Sequence, residues 1–480
     1  MTKIFTFSEC LSLIMQKHQL TLTNLSTLIG SRADLKHVLS EDKSYAKSAK
    51  VFEKLKNCNV FDQSDYSQLA QALEISRLGI ERYRFHRAIS EILAGQSQHC
   101  IQTICTDSGI PLSERLSALN SAEKIEIICF NCCYHSLFSL LFDLFANKDL
   151  DISMKHYIQC DSATNTAAEY VSVVMPVLFD MRYSSYYRPS KIDSKLPSLG
   201  GNQLFIRAVV QNQIIEMYFV FVGDHRVYEM SDPASSHLFA FISKVLDGAS
   251  PQPVAIKEAL PYNFDFTSLC MTFLSHELNR GTYEIGCDLG FQQIPTDIAL
   301  AAFRDKGFTS DEETHNIIRR TLSIHEQRYQ NQYKKKKPTY RIMSISGCEH
   351  FLNTGEMGDH FIGFRPFSLE ERKVIFANML KAAHKNSNFT PLLLIDQKFS
   401  HRFNLVCYDK LGVSIDAKDT DYDISNGYRS VILLLPEFTK QYMEYYLDIL
   451  VKERCHSRSH SLELLEEMYT NFLSRYDLEE

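Results

Sequence analysis

Ser31, Arg32, Lys36 and His37 form the most chemically pointed set in the chain. A short helix through them would gather polar and cationic groups on one side. An arginine at such a helix start can address two acceptors on a guanine edge, and a lysine one turn on can neutralise phosphate. Thr23 and Asn24, at the start of the preceding apolar repeat, are candidates for phosphate oxygens. These six residues are the expected contacts to double-stranded DNA. A second set is aromatic. Tyr183, Tyr186, Tyr187 and Arg188 follow a helical stretch and are the expected liners of a mostly apolar ligand pocket with a few polar anchors.

Other reactive patterns are incomplete. Gly200-Gly201 is followed by Asn202, without the lysine and hydroxyl of a phosphate loop, and EIGCDLG at 284–290 follows no clear strand. No HExxH sequence occurs. His384, His401 and the HSRSH run at 456–460 lack regular ligand spacing. Cys129, Cys132 and Cys133 approach a metal-like spacing, but the surrounding IEIICFNCCYH reads as a strand end holding reduced thiols. The expectation is no catalytic residue, no metal and no cofactor, and hence not an enzyme.

The elements that would position the cationic set are two short helices. Leu22, Leu25, Leu28 and Ile29 recur at helical spacing, Thr23 is a candidate cap, and Gly30 permits a tight turn. Leu35, Val38 and Leu39 supply the buried side of the second helix. This stretch resembles the helix-turn-helix of bacterial XRE/Cro-like repressors over about the first forty-five residues. Ser26 stands where alanine is commonest in that family, Gly30 stands at the turn, and Leu35 takes the anchor place one residue early. Glu41, Asp42 and Lys43 replace the basic-glycine ending of many such motifs. The resemblance implies a recognition helix in the major groove and a homodimer on a two-fold operator. An ordinary helical hairpin in an all-helical domain has the same apolar pattern.

The 480 residues exceed what one core usually serves, so several domains are expected. Charged residues make up 23% and hydrophobic ones 45%, as in globular proteins. The net charge of -7 disfavours a chain coated in nucleic acid, yet residues 1–100 hold thirteen Lys and Arg against ten Asp and Glu. No signal peptide and no membrane-length apolar run is read, and a cytoplasmic location with no membrane partner is expected.

Helical patterns fill residues 1–100. Arg77, Arg82, Arg84 and Arg87 decorate the last helix of that region and suit phosphate or plain solvent. Beyond residue 110 the period changes. KIEIICF at 124–130, an apolar helix at 137–145 and the alternating 152–158 predict a parallel βαβ unit. Strands are predicted at 204–210 and 214–222 around a QNQ turn, and at 340–345, 389–395, 403–408, 412–415 and 431–435. Helices are predicted at 237–246, 264–278, 295–303, 309–333 and 369–384, and from Pro436 onward. Lys334–Lys337 reads as a solvated helix end.

The expected fold is therefore multidomain α and α/β: a helical helix-turn-helix domain over 1–100, a sensor lobe over 110–260 and a second α/β lobe over 261–480. A duplication is suggested by proline before tyrosine-rich segments at 173–187 and 433–447. AEKIEIICF at 122–130 resembles the opening strand of phospholipase D-like modules. Those modules need histidine and lysine one residue apart with a following aspartate; His401 has Phe403 at that offset, and His156 has Ile158. The resemblance therefore implies a lobe without that activity. The functional expectation is a DNA-binding transcriptional regulator whose C-terminal region senses a small-molecule or protein effector or mediates dimerisation. The alternative is a protein-interaction or host-response protein that does not bind DNA.

Overall fold

The structure is a computed structural model. It describes residues 5–40, 45–94, 103–147, 149–158, 167–187, 201–222, 226–230, 237–258, 280–286, 289–290, 293–304, 337–357, 365–395, 403–417 and 430–476, with 323, 326, 327 and 330. The chain is a mixed α/β protein that divides into two compact units, Met1–Ile89 and Ser90–Glu480. The predicted helices at 264–278 and most of 309–333 lie outside the described residues, as do Arg188, Lys334–Lys336 and His401.

The first unit is built from helices α1 (Phe7–Lys17), α2 (Leu22–Ile29), α3 (Arg32–Leu39), α4 (Tyr45–Asn57) and α5 (Gln63–Leu78), with the start of α6 (Ile80–Ala94). Thr6 and Glu9 close α1 with a reciprocal capping box. Thr21, and not Thr23, caps α2 by accepting from the Asn24 amide. The Thr23 carbonyl instead accepts from the Ser26 and Thr27 hydroxyls. Gly30 takes a left-handed conformation that ends α2. Leu11, Ile14, Leu25, Leu35, Val51, Leu55 and Leu69 meet in one core.

Asp65 is buried in this unit and receives Lys17 Nζ at 2.8 Å and His18 Nε2 at 2.6 Å. Burial opposes its charge, but Lys17 and His18 outweigh that and hold the carboxyl below its ordinary range. Its contribution is present above the ordinary aspartate range and fades as pH falls through the depressed folded-state value. Asp65→Asn is therefore expected to flatten the acid side of this unit's stability curve. Chemical unfolding followed from pH 6 down to about pH 3 measures this; an unchanged acid slope would place the sensitivity elsewhere.

The second unit contains two seven-stranded sheets. The first uses β1 (Cys105–Thr106), β2 (Lys124–Phe130), β3 (Asp151–Ile158), β4 (Tyr183–Tyr187), β5 (Asn202–Val210), β6 (Gln213–Val222) and β7 (Arg226–Glu229). Its order is β4-β3-β2-β5-β6-β7-β1. β2, β3 and β4 are parallel, while β2, β5, β6 and β7 pair antiparallel in succession. Helix α7 (Leu112–Ser117) follows β1, α8 (His135–Ala146) links β2 to β3, and α9 (Ala167–Leu178) precedes β4. Gln211 and Asn212 both have positive φ, as a tight hairpin turn matched to strand twist requires. Helix α10 (Leu238–Gly248) buries Phe239, Ile242 and Leu246 against Ile128, Phe130, Tyr157 and Phe205.

The second sheet uses β8 (Ala255–Glu258), β9 (Thr282–Ile285), β10 (Thr339–Met343), β11 (Phe389–Leu393), β12 (Phe403–Tyr408), β13 (Gly412–Ala417) and β14 (Ser430–Leu433), in the order β11-β10-β9-β12-β13-β14-β8. Again three parallel strands adjoin an antiparallel run. The two orders match strand for strand. The edge pairing differs, since β1 is parallel to β7 and β8 antiparallel to β14. The duplication is thus one of topology, with β2 corresponding to β9 and β5 to β12. The proline-marked segments are not its equivalents, because Pro176 lies inside α9 and Pro436 opens a helix after β14.

Helices α11 (Thr296–Arg304), α12 (Ile345–Thr354), α13 (Leu369–Lys385) and α15 (Arg458–Tyr476) pack a shared core with Met343 and Leu393. Helix α14 (Pro436–Tyr445) runs into a π-helical turn at Tyr446–Arg454. The stretch Gln252–Val254 joins the lobes: Tyr187 N donates to Gln252 O, Val254 N to Ser185 O, and Leu434 N to Val254 O.

Candidate ligand-binding site

In the second lobe a buried arginine in the middle of β10 meets a half-buried glutamate near the end of the parallel strand β9. Glu284 on β9 and Arg341 on β10 are register partners. Arg341 Nη1 lies 2.5 Å from Glu284 Oε1, with the arginine side chain 1% exposed and the glutamate 13%. The chain passes from β9 to β10 and β11 on one side and returns to β12 on the other. In α/β sheets such a reversal of strand order is the usual ligand position. Asn404, at the start of β12, is buried there too.

Two glycines let the guanidinium lie against backbone. A Cβ at Gly286 would stand 3.3 Å from Arg341 Nη2 and 3.3 Å from Asn404 Oδ1. A Cβ at Gly290 would fall between the Arg341 guanidinium and the Gln293 side-chain carbonyl, overlapping both. Gln293 is 1% exposed, and among the described residues neither its Oε1 nor its Nε2 has a hydrogen-bond partner. Its backbone N–H donates to Gly290 O at 3.0 Å. Beyond β10, Ser344 caps α12 and accepts from Gly347 N at 3.0 Å.

The π-helical turn supports the site from the opposite face. Tyr446 Oη donates to the Glu284 backbone carbonyl at 2.7 Å. Burial, with Tyr442, Cys455 and Glu284 adding to it, pushes the Tyr446 hydroxyl well above the usual tyrosine range, and Arg341 only partly opposes this. It remains a donor throughout the neutral range. Tyr283 and Tyr340 stack at 5.7 Å beneath it. A π-turn inside a helix often marks a functional region.

The residues expected to touch DNA lie on α2, on α3 and at the start of α3. Thr23, Asn24, Arg32, Lys36 and His37 are exposed, and Ser31 is half-buried with its hydroxyl on Asp34 at 2.6 Å. Asp34 also binds Lys50 and Lys54. The tyrosine set is divided between the two faces of a strand. Tyr183, Tyr186 and Tyr187 form β4, a strand that was not anticipated, and alternation sends them to different faces. Tyr183 is buried against His156, Tyr186 stacks on Tyr157, and the Tyr187 hydroxyl binds Leu434 O. Sequence reasoning missed Glu284, Gln293, Arg341 and Asn404. The available signal was the arginine interrupting TYRIM, a charge in an otherwise inward-facing strand position.

No family model and no curated protein matches the chain. Among solved structures it is similar to the polyphosphate kinase of Porphyromonas gingivalis, at a TM-score of 0.24 and 9% identity, over 76% of this chain and 53% of that one. The chain thus spans about half the length of that protein. The match is to an enzyme and not to a DNA-binding regulator. The expectation of a transcriptional regulator and the expectation that the chain is not an enzyme stand against that match and are not carried further. At that TM-score no activity is transferred from it. Among the described residues no helix is long and apolar enough to cross a membrane.

Proposed function

We propose that the second lobe binds a small polar molecule at the reversal of strand order around β9, β10 and β12. The observation that carries this is Gln293: a buried carboxamide with both polar atoms unpartnered among the described residues, beside the Arg341–Glu284 pair. An unsatisfied buried amide costs about 1–3 kcal/mol, so its retention calls for a compensating role. Its complement is a ligand offering a donor and an acceptor side by side, as a carboxamide, a carboxylic acid or a nucleobase edge does. The guanidinium and carboxylate then fix ligand orientation through charge-assisted hydrogen bonds.

Replacement by a similar-sized apolar residue tests the premise. Gln293→Leu is expected to leave the ligand-free second unit as stable as before or more stable by up to about 1 kcal/mol, because an orphaned amide is removed. Denaturant unfolding measures this. A loss of about 1 kcal/mol or more would mean that the amide is bonded within the protein, and the binding proposal would fall.

A further inference from the structure

The first lobe buries a different set of groups at the corresponding strand edge. Cys129, the penultimate residue of β2, is the register partner of His156 on β3, which in turn partners Ser185 on β4. Cys132 follows after a turn in which Asn131 has φ 50°. Both cysteines are fully buried, their thiols are in mutual contact, and Cys132 Sγ also donates to Phe130 O at 3.3 Å. The imidazole of His156 lies against Cys129 and is held from behind: its Nδ1 meets Tyr183 Oη at 3.0 Å, which meets Tyr170 Oη at 3.2 Å. Asn131 and Cys133, flanking Cys132, are half-buried, so the pair lies one residue beneath the surface.

We propose that Cys129 and Cys132 are a peroxide-oxidisable dithiol that closes reversibly to a disulfide, with His156 as its proton acceptor. The spacing is that of Cys-x-x-Cys exchange sites. Burial opposes ionisation of Cys129, but its contacts with Cys132 and His156 bring the thiol down to about 5, while burial and the Cys129 charge push Cys132 well up. One thiol is thus set to attack and the other to resolve. The Cys129 thiolate attacks one oxygen of hydrogen peroxide, breaking the O–O bond to give a sulfenic acid and hydroxide. The proton released by Cys129 passes through the imidazole to the hydroxide, making water. The Cys132 sulfur then attacks the sulfenic sulfur, its proton leaves with the displaced hydroxyl as a second water, and the S–S bond forms. Two thiols are oxidised by two electrons, and one peroxide becomes two waters.

The test uses the folded full chain and hydrogen peroxide, followed by intact mass and peptide mapping. The expected result is loss of two hydrogens and a Cys129–Cys132 crosslink that dithiothreitol reverses. Cys133→Ser should leave the crosslink unchanged. Cys132→Ser should stop at a Cys129 sulfenic acid that a cyclic dione labels. His156→Gln should slow crosslinking about tenfold or more, by loss of the proton acceptor. If that variant misfolds, the cysteine variants still decide. Thiols that survive peroxide until the protein is denatured, or a crosslink that instead uses Cys133, would overturn the proposal.

Discussion

Arg341→Ala is expected to cost the second unit about 3–5 kcal/mol. The guanidinium is 1% exposed and Glu284 is 13% exposed, so truncation strands a carboxylate in a poorly hydrated site. The cost comes mainly from that stranded charge, because an intact buried pair adds little net stability. Replacing both partners at once, with Arg341→Met and Glu284→Gln, should therefore recover much of the loss. Urea unfolding monitored on the second unit separates the two cases. If Arg341→Ala alone leaves the midpoint unchanged, the pair is solvated and the buried-site description is wrong.

Gly290→Ala is expected to be nearly as damaging, at about 1–3 kcal/mol from overpacking, with a further loss as the guanidinium is displaced. The new methyl overlaps the Arg341 guanidinium and the Gln293 carbonyl, both held in a packed interior. Gly290 lies close to Arg341 and does not have a positive φ, so the penalty is contact and not backbone strain. The two substitutions should be non-additive. In an Arg341→Ala background the methyl gains room, and the double-mutant cycle should show coupling of about 1 kcal/mol or more. Additive effects would separate Gly290 from the charged pair.

The legible parts of this fold were those with strong local patterns. KIEIICF gave β2 with its bounds, because a buried parallel strand is nearly continuous in apolar residues. The Gln211-Asn212 turn announced its hairpin through residues that tolerate positive φ. Helices α8, α10 and α13 followed from apolar spacing. β9 was hidden because Thr282–Ile285 is four residues long, carries a glutamate and runs into glycine. β8 sat behind a proline-containing connector, and β4 looked like an aromatic loop because serines interrupt it.

The site itself depends on register. Glu284 and Arg341 are strangers in sequence, and only the pairing of β9 with β10 brings them face to face. Each read alone is an ordinary charged residue. The same limit applied to the duplication. Its evidence lies in strand order, whereas the prolines at 176 and 436 occupy different places in the two helices that hold them. On α3 the local pattern was enough: Arg32, Lys36 and His37 are exposed where helical spacing put them.

The most direct test of the central claim is a thermal-melt series on the full chain with nicotinamide, uracil, succinate and inorganic phosphate as probes. Ligand that binds only the folded protein at 100 times its dissociation constant adds about 2.7 kcal/mol, enough to move the melt by several degrees. The account predicts that at least one probe raises the melting temperature of the wild-type second unit, and that Gln293→Leu abolishes that rise without lowering the unliganded melt. No shift with any probe, or an equal shift in Gln293→Leu, would contradict it.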